Sequence, residues 1–77
     1  MQPLPVQSDP AGRPLALLWE GSFLQVDGII DSWDWAGDWV HGVSERRYWF
    51  VSLRGGLLLE ICEELDTGLW LLSRVQD

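Results

Sequence analysis

The chain has 77 residues, 47% apolar and 22% charged, with twelve Asp and Glu against five Arg and no Lys, a formal charge of −7. That size holds one core and excludes a two-domain architecture. The acidic balance works against nonspecific duplex binding, which depends on neutralising phosphates. Cys62 is the single cysteine, so no internal disulfide forms and a reducing compartment fits.

The opening MQPLPVQSDP lacks a basic start leading into an apolar stretch, and no uncharged run approaches the roughly 18 residues of a membrane span. A cytoplasmic location and no membrane partner are expected. Small domains without cross-links are marginally stable. A homodimer would hide leftover apolar surface, and monomer and dimer both stay open.

Pro3, Pro5, Pro10 and Pro14 all precede Leu15, and no proline follows. Residues 1–14 are predicted as an extended, proline-containing lead-in with a turn at DPAGRP, because proline fixes φ and cannot donate to a ladder. Residues 15–77 are predicted as a single β domain. LALLWE is its first strand, with Leu15, Leu17 and Trp19 on one face. A turn at Glu20–Ser22 leads into FLQVDGIIDSW, where Gly28 breaks the alternation as a bulge would.

RRYWFVSL is the clearest strand, placing Arg47, Trp49, Val51 and Leu53 opposite Tyr48, Phe50 and Ser52. Gly55 and Gly56 supply a tight hairpin, LLLEICEE returns, and DTG at Asp66–Gly68 turns into LWLLSRV. Leu57–Leu65 also fits a helical period, so a helix competes there. The flanking glycine pair, the DTG turn and the missing N-cap favour the strand. The fold class is all-β, a small antiparallel meander curled into an open barrel of about five or six short strands.

No constellation names a reaction, and the chain is not read as an enzyme. His41, in WVHGV, has no Ser or Cys nucleophile in a recognisable arrangement and reads as an exposed loop imidazole. Cys62 sits among Glu60, Glu63 and Glu64, which disfavours a thiolate. Asp27, Asp31, Asp34 and Asp38 lack the alternate ligands, central glycine and closing Glu of a calcium loop. They read as solvated strand ends and turns, and neither a metal nor a cofactor is expected.

Six tryptophans are the informative feature. Trp19, Trp49 and Trp70 lie inside apolar runs and are predicted as core. Trp33 and Trp35, two apart on one strand face, and Trp39, beyond Ala36–Gly37, lie among Asp31, Asp34 and Asp38. For these three, core and interface both stand, since partly exposed Trp is a common interface anchor. The leading expectation is a protein-interaction module. It would engage a basic partner, or itself, through Trp33, Trp35 and Trp39, with Asp34 and Asp38 in the polar rim. The alternative is a single-stranded nucleic-acid-binding module that stacks bases on Tyr48 and Phe50 beside Arg46, Arg47, Arg54 and Arg74.

Several strings, taken in order, resemble a bacterial family of unknown function related in pattern to the C-terminal segment of ImuB-type, catalytically defective Y-family polymerase homologues. They are GRPLALLWEGSFLQV at Gly12–Val26, Trp33 with GDW at Gly37–Trp39, RRYWFV at Arg46–Val51 and LEICEELDTGLWLLSRV at Leu59–Val75. The resemblance implies architectural roles for Trp19, Gly21, Trp39, Tyr48, Glu60, Asp66, Gly68 and Trp70. It also implies an accessory place in DNA damage tolerance, as a partner-binding element of a polymerase assembly. Val40 stands where relatives resemble GDWW, and Asp31, Asp34, Glu63 and Glu64 stand where they often carry basic side chains. Those departures count against a carried-over DNA contact and leave protein docking as the implied role.

Overall fold

The computed structural model describes residues 1–76, and strands make up most of it. In chain order they are β1 (Gln2–Pro3), β2 (Val6–Ser8), β3 (Pro14–Trp19), β4 (Ser22–Trp35), β5 (Arg46–Leu53), β6 (Leu58–Glu64) and β7 (Trp70–Gln76). One 3-10 turn, Trp39–His41, lies between β4 and β5. Every pairing is antiparallel, in the order β1-β7-β6-β5-β4-β3-β2. The sheet curls into an open half-barrel, the all-β architecture expected; two short strands in the proline-rich segment bring the number to seven.

That segment touches both margins of the sheet. Pro3 pairs with Leu71 of β7, and Val6 pairs with Leu17 of β3. Between them the Leu4 N–H donates to the Trp70 carbonyl and the Pro5 carbonyl accepts from the Leu18 N–H, both at 2.9 Å. Proline can accept but not donate, and Pro5 meets its neighbour only through its carbonyl. The side chain of Leu4 enters the core between the two margins.

Trp49, Val51 and Leu53 of β5 alternate inward and meet Leu59 and Ile61 of β6, Leu17 of β3, Trp70 of β7 and Leu4 in one cluster. Trp19 packs against this cluster but stays partly exposed. Leu58–Glu64 is a strand, not the competing helix. Gly55 and Gly56, with φ of 97° and 92°, reverse the chain so that this segment pairs with β5 on one side and β7 on the other. Two ladders of backbone hydrogen bonds outweigh a local helical period.

Alternation along β3 breaks at Leu15. Gln7 pairs with Ala16 but Ser8 with Pro14, so Leu15 is the extra residue of a bulge and is half exposed while Leu17 is sealed. On β4 the register shifts twice, skipping Asp27 and Ile30, the first shift falling beside Gly28 as the sequence predicts. The fourteen residues of β4 would span about 43 Å if straight. That exceeds the longest dimension of the molecule, 40 Å, and the bulges supply the bend.

Candidate functional site

Past its bend β4 carries Trp33 and Trp35 on one face, opposite Tyr48 and Arg46 of β5. The Trp33 and Tyr48 rings lie parallel, their planes 2° apart and centroids 5.5 Å apart. An offset stack of this kind contributes about 0.5–1.5 kcal/mol beyond its buried area. The Arg46 guanidinium sits 5.8 Å from the centre of the Trp35 ring, a cation–π contact of roughly 0.5–1 kcal/mol at a surface. Both indoles are held in place by β5 yet remain 40% exposed. Ring orientation is thus set before any partner arrives, which lowers the entropy lost on docking.

Asp34, between the two tryptophans, points to the opposite face by strand alternation. There its carboxylate takes two hydrogen bonds from Arg47, at 2.7 Å from Nε and 3.1 Å from a terminal nitrogen. These bonds hold the Asp34 carboxyl below the usual carboxylate range and push the Arg47 pKa up. Arg47 also faces Glu63 across the β5–β6 ladder. Burial pushes the Glu63 carboxyl up, and the attraction of Arg47 only partly offsets it.

Trp39 does not join the Trp33–Trp35 face along the strand; it opens the 3-10 turn and is 84% exposed, with Val40 exposed beside it. Gly37 makes that turn possible. It has φ of 83°, and a Cβ there would come within 2.6 Å of the Val43 carbonyl oxygen and 2.7 Å of the Ser44 backbone. Asp38 pairs with Val43 and ties down the turn: its carboxylate lies 2.6 Å from His41 Nδ1 and accepts from the His41 N–H at 3.3 Å. Asp34 and Asp38 are therefore both engaged within the chain, and His41 is an exposed side chain held by Asp38.

Phe50 and Tyr48 share the β5 face opposite the core residues. Arg13, Arg47 and Arg74 are matched to Asp9, Asp34 and Glu60. With Arg46 laid on Trp35, three of the four arginines counted toward a phosphate track, Arg46, Arg47 and Arg74, are engaged inside the chain, while Arg54 is exposed. Cys62 is fully buried, and burial pushes its thiol pKa up, the reverse of what a nucleophile needs. Among the described residues no three His, Cys, Asp or Glu side chains converge as metal ligands.

Sequence reasoning did not single out Ile29 and Ile30, both exposed on β4 just past Gly28. The available signal was the bulge itself: a skipped residue turns neighbouring side chains out of register. Nor did it pair Trp33 with Tyr48, which sit fifteen positions apart and meet only through the β4–β5 register. Among known proteins, no family model, no curated protein and no solved structure matches this chain. Among the described residues no helix is long and apolar enough to cross a membrane.

Proposed function

We propose that the chain is a noncatalytic protein-interaction module that docks a partner protein through Trp33, Trp35 and Trp39. One observation carries this reading: three indoles stand 40%, 40% and 84% exposed while Trp49 and Trp70 are buried. Large rings left in water, two of them pre-oriented by Tyr48 and Arg46, are what a docking surface needs at its centre. The net charge of −7 favours a basic partner by speeding encounter and selecting against acidic competitors.

An accessory role in translesion synthesis rests on the string resemblance to the ImuB-type C-terminal segment, and a cytoplasmic location on the single cysteine, which fits a reducing compartment. The reading is tested by replacing Trp33, Trp35 and Trp39 together with Ala and comparing affinity capture by the two chains at low and high salt. The variant should keep its far-ultraviolet spectrum and lose the proteins the parent retains. An unchanged set of captured proteins on a folded variant would defeat the docking role, and retention only of nucleic acid would transfer it to the stacking alternative.

A further inference from the structure

The ladder between β3 and β4 stops at Ala16–Gln25. From Asp27 to Trp35, β4 is paired with β5 alone, so among the described residues its other margin has no neighbouring strand. The Ser32 N–H donates to the adjacent Asp31 carboxylate at 2.8 Å, and because Trp33 is the residue paired with Tyr48, whose carbonyl faces β4, alternation turns the Ser32 N–H to that margin. Antiparallel alternation gives the Asp34 N–H the same outward direction. Protein edges are commonly blunted by charge, proline, brevity or bulges. This one has no lysine or proline but carries acidic side chains and bulges at Asp27 and Ile30. Those protections select against another acidic strand, while Ile29, Ile30, Trp33 and Trp35 flank it exposed.

Charge decides between occupants. Asp34 is paired with Arg47, but Asp27 and Asp31 also lie on this stretch, in none of the ion pairs among the described residues and with no basic residue on β4. A second copy would bring the same carboxylates and another −7 against them. At the root of the margin, where β3 and β4 part, an open cleft of about 310 Å³ is lined by Pro14, Leu15, Val26 and Ile29, with Asp27 beside them and Asp9 already paired to Arg13. Its apolar walls suit an aliphatic side chain, and Asp27, which is in none of the ion pairs among the described residues, suits a cation beside it.

We propose that the free margin of β4 receives an extended basic segment of a partner protein as an added strand. Its Lys or Arg side chains lie near Asp27 and Asp31, and an aliphatic side chain enters the cleft between Leu15 and Ile29. Backbone pairing supplies affinity and the alternating side chains supply selectivity. The inference rests on the docking reading above and specifies the partner's chemistry and its backbone conformation.

The test titrates the isotope-labelled full chain with three synthetic peptides. One alternates Lys and Val, one has Glu in place of Lys, and one repeats the Lys–Val sequence with alternate backbone nitrogens methylated. The Lys–Val peptide should slow exchange of the Ser32 and Asp34 amides at least about tenfold, and the other two should not. The double variant Asp27→Lys/Asp31→Lys should weaken that peptide by about tenfold or more. If the indole fluorescence responds while the edge amides stay unprotected, docking through the rings survives and the added strand is overturned. Equal binding of the methylated peptide overturns it too, as does a dimer in sedimentation with the edge amides already protected. Edge protection that persists in the triple Trp→Ala variant supports the added strand and instead removes the rings from the docking role.

Discussion

Trp49 and Trp33 lie one register step apart in the β4–β5 ladder, yet one is 7% exposed and the other 40%. Trp49 is on β5, paired with Ser32 on one side and Ile61 on the other, and its ring enters the cluster with Val51 and Leu59. Trp33 is on the distal half of β4, where only β5 flanks it, and its one ring neighbour is Tyr48. Two residues of one type thus differ in how many strands enclose them and in which face of the curl they occupy. Burial here follows enclosure by neighbouring chain; an indole on an open margin keeps surface that the fold does not use.

The sharpest way to break that contrast is to empty the enclosed side. Ile61→Ala, at a fully buried site, should cost about 2–5 kcal/mol, read as a lower urea midpoint, enough to unfold much of a domain this small. A loss under about 1 kcal/mol would mean that the cluster collapses around the gap. Next comes the turn that carries Trp39. Gly37→Ala forces a left-handed φ on a side chain and a backbone clash, and should cost about 1–3 kcal/mol, with amide shifts centred on Asp38–Ser44. Shifts spread evenly over β5–β7 would contradict a local role.

Two carboxylates then separate the regions by the sign of their pH response. Asp34, held low by Arg47 on the open side, stabilises the fold above its unfolded-state pKa and loses that contribution as pH falls through its folded value. Glu63, held high by burial, does the opposite, favouring the fold below its unfolded pKa and losing that effect as pH rises through its folded value. Asp34→Asn should therefore lower the melting temperature at pH 7 and make little difference near pH 3. Glu63→Gln should raise it at pH 7, with the gain fading in acid. Melting curves across that range check both signs. The smallest effect is expected at Trp39→Ala, within about 0.5 kcal/mol in urea unfolding, because a ring 84% exposed gives the fold little.

Much of the strand pattern was legible from sequence. β-branched and aromatic alternation marked β5, paired glycines marked the hairpin after it, and Gly28 marked a bulge. Trp33 and Trp35 were legible as sharing a face because a strand repeats every two residues. Leu15 was misjudged as a companion of Leu17, since a bulge depends on which residue of β2 lies opposite, and a single strand carries no record of that. Asp34 looked like a rim neighbour of the rings, and strand alternation instead turns it to the other face and onto Arg47.

By itself the sequence determined the strand class, the hairpin turns and the surplus of indole over what one small core encloses, because local backbone preference and period-two alternation are properties of short segments. Only the tertiary structure decided that a proline-rich segment would join β7 to β3 and bury Leu4, and that β3 would leave β4 at Gln25. Both outcomes depend on hydrogen bonds between residues far apart in the chain, and those bonds exist only once the sheet has curled.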